Sequence, residues 1–131
     1  GSFEGIEQHL EGGALVLGGR IPDDLRKSFE AKGFEVVDYY GDESLRIKNA
    51  LPTAEGVVML AMENTPFTIN GSSVLITGFG ACAKQTAKLF YALGARVLIA
   101  ARNETQLAEA QTLGYLACQL ITFAFNSVDD K

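Results

Sequence analysis

Histidine is almost missing from this chain, with His9 the only one, and the two cysteines, Cys82 and Cys118, stand far apart in sequence. No metal-ligand spacing results, so no metal centre is expected, and the cysteines read as reduced, buried thiols of a cytoplasmic protein. His9 reads as a surface residue near the start of the chain. No run of about eighteen apolar residues marks a membrane span, and no basic-then-apolar leader marks a signal peptide. Basic stretches are also missing, and no basic patch is interleaved with aromatics. Eleven Lys and Arg against 16 Asp and Glu leave a net charge of −5, which argues against nucleic acid or a membrane surface as partner.

What is present is an α/β pattern. The 131 residues are 47% hydrophobic, enough for one modest domain with a real core and too few for a complete two-domain dehydrogenase. The central signal is Ser73-Val74-Leu75-Ile76-Thr77-Gly78-Phe79-Gly80-Ala81-Cys82-Ala83, an apolar strand that breaks into glycines and passes at once into helix formers. A strand ending in Gly-x-Gly lets the backbone turn sharply towards a pyrophosphate, and the following helix aims its unpaired N–H groups at the anion. The spacing predicts a helix over Cys82 to Leu93, with Ala83, Ala87, Phe90 and Tyr91 on an apolar face and Lys84 and Lys88 on another. Gly94 stops it, and Ala95 to Ala101 reads as a buried strand, completing a βαβ unit of about thirty residues. Gly78 and Gly80 are therefore candidate cofactor contacts; a plain strand-to-helix turn is the alternative.

About twenty residues past the first glycine, an NAD site usually places a carboxylate for the ribose hydroxyls. This chain has Ala101-Arg102-Asn103 there. A guanidinium fork in place of a carboxylate suits a 2′-phosphate, which selects NADP. The alternative is a solvated Arg102, with Glu104 reaching the ribose.

Upstream, Ala14 to Leu17 reads as a short buried strand and Gly18-Gly19-Arg20 as a turn. A helix opens at Ile21-Pro22-Asp23-Asp24-Leu25 and ends near Gly33, and Phe34 to Tyr40 reads as a further strand. Such a turn lines the cleft of an open α/β sheet, which makes Arg20 a candidate for an anionic substrate or simply a solvated arginine. Asp42 to Lys48 is polar and helical in pattern. Pro52 breaks the chain at Leu51 and opens a second helix containing Val57 to Met62. Thr53 and Glu55 then serve either as helix-start hydrogen-bonding groups or as a hinge facing a substrate cleft, with Met59 and Met62 read as core filler.

Together, Asn49-Ala50-Leu51-Pro52-Thr53-Ala54-Glu55-Gly56, Met59-Leu60-Ala61, Thr68-Ile69-Asn70-Gly71-Ser72, Gly78-Phe79-Gly80 and Ala92-Leu93-Gly94-Ala95 closely resemble the A-subunit family of dipicolinate synthase, over about Asn49 to Leu120. A looser likeness extends to D-2-hydroxyacid dehydrogenases. The resemblance implies an incomplete Rossmann-like nucleotide-binding domain, a parallel sheet flanked by helices, over residues 67–131. A hinge helix at 49–66 and the end of a flavodoxin-like, substrate-side domain at 1–48 would precede it. It implies NADP-dependent oxidation of a dihydrodipicolinate-type dicarboxylate of the lysine pathway during sporulation, alongside a second, flavoprotein-like subunit. Gly78, Phe79, Gly80, Ala81 and Cys82 would meet the pyrophosphate, Ala101, Arg102 and Asn103 the 2′-phosphate side, and Thr53, Glu55 and Arg20 the substrate. No general acid or base is identified.

Two departures lie in the motif. The family tends to carry arginine at the position of Ala81, and glycine is common at that of Ala83. A missing arginine removes a charge-assisted phosphate contact worth about 1.5–3 kcal/mol. The opening Gly1-Ser2 reads as a scar of tag removal, and residues 121–131 do not resemble the family. The chain therefore reads as a fragment without turnover of its own, prone to self-association through residues such as Phe123 and Phe125. The rival from another class is a non-catalytic nucleotide- or partner-binding module; another NADP-dependent dehydrogenase is the competing enzyme. Replacing Arg102 with Asp is expected to reverse an NADP-over-NAD preference in calorimetric titration and to leave a purely protein-binding module unchanged.

Overall fold

Aliphatic and β-branched runs form the strands. In the computed structural model, which describes residues 14–39 and 54–119, these are β1 (Ala14–Gly18), β2 (Glu35–Asp38), β3 (Ser73–Thr77), β4 (Arg96–Ala101) and β5 (Leu116–Gln119). The helices between them are α1 (Asp23–Ala31), α2 (Ala54–Asn64), α3 (Ala81–Ala92) and α4 (Glu104–Thr112).

Each helix buries the stripe that its spacing allows. Leu25 and Phe29 of α1 are four apart and point into the core. So do Val57, Leu60 and Ala61 of α2, and Ala83, Thr86, Ala87 and Phe90 of α3. Tyr91 departs from expectation: it is 68% exposed and meets Tyr115 edge-on at 6.3 Å. Met59 and Met62 are not core filler either, being 40% and 51% exposed, because α2 is apolar on more than the one face that packs. Helix α4 and strand β5 carry weaker patterns, with one buried residue each, Ala110 and Cys118. The local sequence pattern specifies neither.

All five strands run parallel in the order β2-β1-β3-β4-β5, the doubly wound order 2-1-3-4-5. Helices α2, α3 and α4 pack on one face, over Leu15, Leu17, Val74, Ile76, Val97 and Ile99. Among the described residues α1 is the helix on the other, over Val16, Val36 and Leu75. Leu15, Leu17, Leu75, Ile76 and Ile99 are fully buried, each contributing about 1.5–3 kcal/mol.

One continuous sheet contains strands from before and after the 49–66 segment. β1 bonds β3 in register from Ala14↔Ser73 to Leu17↔Ile76, so residues on either side of the 49–66 segment share a core. The physical reason is burial: parallel strands need both faces covered, and β1 with β2 alone would leave an apolar edge open. The expected polar helix at residues 42–48 lies outside the described residues, as do Phe123 and Phe125. No described helix is long and apolar enough to cross a membrane.

Burial pushes the Cys118 thiol up to about 11, whereas Cys82 is half-buried. At pH 8 a thiol reagent is expected to label Cys82 in the native protein and Cys118 only after unfolding. As pH rises from about 9 towards 11, the unfolded thiol ionises before the folded one, so stability should fall over that window. Denaturant midpoints at pH 8 and pH 10 check the sign.

Candidate nucleotide site at the switch point

In a doubly wound sheet the crevice opens at the carboxyl ends of the strands, where successive connections leave in opposite directions. Here that point lies between β1, which feeds β2 on one side, and β3, which feeds β4 and β5 on the other. A crevice of about 330 Å³ lies there, lined at the ends of three strands: Gly19 and Arg20 after β1, Thr77 at the end of β3 with Gly78 after it, and Ala101 at the end of β4 with Arg102 and Asn103 after it. Ile21, Pro22 and Leu25 add an apolar wall, and Gln106 a polar side chain from α4.

The turn after β3 has the geometry that its glycines require. Gly78 sits at φ 91°, a conformation that glycine adopts without a steric penalty, and its N–H donates to Ala100 C=O. Gly78 therefore makes the turn and is not a free donor. The Phe79 side chain is buried against Tyr115, with ring centroids 6.1 Å apart, so only its backbone faces a ligand's side of the turn.

Helix α3 starts at Gly80 with no side-chain cap and no acidic residue in its first turn. The bond from Lys84 N–H to Gly80 C=O closes that turn at 2.9 Å, leaving the N–H groups of Ala81, Cys82 and Ala83 as the helix's orphan donors. The other helices each carry acid in their first turns: Asp23 and Asp24 in α1, Glu55 in α2 and Glu104 in α4. Among the described helices, the positive end of α3 is thus the one without a first-turn carboxylate of its own. Lys84 lies next to it but is engaged, 2.8 Å from Glu109 of α4 and 5.8 Å from the Phe79 ring centroid.

Of the remaining expected residues, Arg102 is exposed and lines the crevice, while Ala101 is buried at the end of β4. Asn103 caps α4: its Oδ1 accepts from Thr105 N–H at 2.8 Å and Gln106 N–H at 3.1 Å, leaving its amide nitrogen to donate. Arg20 lines the same crevice as Arg102. Glu55 does not; it lies at an apolar groove between α2 and α3, with Met59, Met62 and Leu89. Thr53 is outside the described residues. No group of three or more His, Cys, Asp or Glu is placed to hold a metal among the described residues.

Sequence reasoning missed Asp38. It ends β2, and its carboxylate accepts from Arg20 N–H at 3.0 Å and Ile21 N–H at 2.8 Å. No local signal marks it, because the turn that it clamps lies 18 residues upstream. In sequence Gly18 is only part of a turn, yet a Cβ there would collide with Thr77 Oγ1 and lie 2.9 Å from Ile21 Cγ1. The Thr77 hydroxyl in turn donates to Leu17 C=O at 3.3 Å. Gly18→Ala is expected to cost about 1–3 kcal/mol, and Thr77→Ala in the same chain to recover part of that loss. Urea midpoints of the single and double variants measure the coupling.

No protein-family model matches the chain. Solved structures similar to it include two of the dipicolinate synthase A-subunit, one from Bacillus subtilis and one from Bacillus halodurans. They are 30% and 31% identical, cover 80% of this chain and 35% and 36% of their own, and both have a TM-score of 0.49. Among curated proteins, the dipicolinate synthase A-subunit of Bacillus subtilis (strain 168) is 38% identical over 80 residues, 61% of this chain. The resemblance carried by the hinge and glycine motifs is therefore borne out: over that stretch the chain is a homologue of the dipicolinate synthase A-subunit, of which it spans 27%.

Proposed function

We propose that this chain is the nucleotide-binding part of an NADP-dependent oxidoreductase of the dipicolinate synthase A-subunit kind. The observation that carries the reading is the crevice at the switch point, whose charged lining consists of Arg20 and Arg102 in a chain of net charge −5. The residues present fit NADP. Gly78 supplies the tight turn, the start of α3 offers orphan N–H donors with an unopposed dipole to the pyrophosphate, and Arg102 stands where a 2′-phosphate needs a cation. Ala101 and the Asn103 amide complete that side, and Ile21 and Leu25 give an apolar wall for a base.

When bound, NADP supplies a nicotinamide able to accept hydride. The substrate class that goes with this reading is a cyclic dihydrodipicolinate-type dicarboxylate; the partners are a second, flavoprotein-like subunit, together with further copies of this chain. Glu55, at the separate groove between α2 and α3, takes no part in this crevice, and the setting is proposed to be cytoplasmic.

One observation favours a second reading, a module that binds nucleotide without turnover. Among the described residues the crevice lining has no His, Cys, Asp, Glu, Lys or Tyr, so nothing there moves a proton to or from a substrate. This chain alone is accordingly proposed to lack turnover, and the two readings share the binding step.

Calorimetric titration of the chain with NADP and separately with NAD tests that step. Binding that prefers NADP is expected, and absence of binding by both overturns the proposal. Ala81 is exposed at the first turn of α3, so Ala81→Arg is expected to tighten NADP binding by roughly tenfold or more, the equivalent of one charge-assisted contact of about 1.5–3 kcal/mol.

A further inference from the structure

The turn after β1 belongs to the first segment of the chain, yet it stands at the same crevice as the turns after β3 and β4. Arg20 is the one described non-glycine residue with positive φ, at 60°. Residues other than glycine occupy that region only where their surroundings hold them, and such positions cluster at ligand sites. What holds Arg20 is visible. Both oxygens of Asp38 are used, one on its N–H at 3.0 Å and the other on the N–H of Ile21 at 2.8 Å. From the other side, Gly18 packs directly on Thr77, and Tyr39 N–H donates to Gly18 C=O at 2.9 Å. The turn is thus pinned to β2 by a carboxylate and to β3 by a close approach that only glycine permits.

We propose that Arg20 is a specificity-determining residue of the nucleotide site, contributing a second guanidinium beside Arg102 to the 2′-phosphate of NADP, and that Asp38 is the positioning residue that holds it there. This rests on the NADP reading above and reassigns Arg20 from the substrate to the nucleotide. Arg20 and Arg102 approach the crevice from the two turns that flank the β3 turn. A phosphate monoester carries close to two negative charges at neutral pH and three acceptor oxygens, more than one guanidinium fork satisfies. Asp38 does not line the crevice, and each of its oxygens accepts a backbone N–H of the Arg20 turn.

The test is calorimetric titration of the full chain with NADP and with NAD, for the wild type and for Arg20→Ala, Arg20→Lys, Asp38→Asn, Arg102→Ala and the double variant Arg20→Ala/Asp38→Asn. Arg20→Ala is expected to weaken NADP binding about tenfold or more and to leave NAD within about twofold, with Arg20→Lys falling between. Asp38→Asn is expected to lower the NADP-to-NAD affinity ratio in the same direction, and to lower it no further when Arg20 is already alanine. A merely structural Asp38 would weaken both nucleotides together. NADP affinity unchanged in Arg20→Ala but lost in Arg102→Ala overturns this inference and leaves the nucleotide reading standing. Equal loss of NADP and NAD in Arg20→Ala also overturns it, because the contact would then be to the shared pyrophosphate. Absence of binding of both nucleotides by the wild type overturns both.

Discussion

The sheet, its core and the crevice all depend on the pairing of β1 with β3. Parallel strands cannot be joined by a tight turn, so this contact joins residues distant in sequence, from Ala14↔Ser73 to Leu17↔Ile76. It buries Leu15, Val16 and Leu17 on both faces of the sheet. It also creates the switch point. From β1 the chain moves outward to β2, and from β3 outward to β4, and because such crossovers are right-handed, α1 and α3 fall on opposite faces. The turns leading into those helices separate, and the crevice is the space between them.

Among the described helices, one start differs from the other three in its electrostatics. The first turns of α1, α2 and α4 contain carboxylates, and α4 also uses Asn103 to occupy two of its own N–H groups. At α3 neither device is present. The first-turn N–H groups of α3, at Ala81, Cys82 and Ala83, are therefore left without a carboxylate or side-chain cap of their own. The surface pair of Lys84 with Glu109 is partly exposed and adds little stability. Its effect is to tie α3 to α4 beside the site.

The turn from Thr77 to Gly80, the flanking strands and helix α3 were legible in the sequence to within a residue or two, because apolar runs, glycines and helical spacing are local signals. Arg102 and Asn103 were legible for the same reason, as the residues that directly follow a recognisable strand. Met59, Met62 and Tyr91 were not. Their hydrophobicity says that they favour burial, but whether a neighbour covers them is decided by how α2 and α3 pack. Asp38 was invisible for a related reason: a carboxylate at the end of a strand looks solvated until the turn it clamps is brought beside it.

By itself the sequence determined the α/β class, the glycine turn and the cation that follows β4, all consequences of backbone sterics and charge acting over a few neighbouring residues. Only the tertiary structure decided that the first strand lies beside β3 in one sheet, and that Arg20, Gly78 and Arg102 share a crevice while Glu55 stands at a different groove. Those outcomes rest on strand order and long-range pairing, where the burial of both sheet faces, summed over the whole chain, outweighs any local preference.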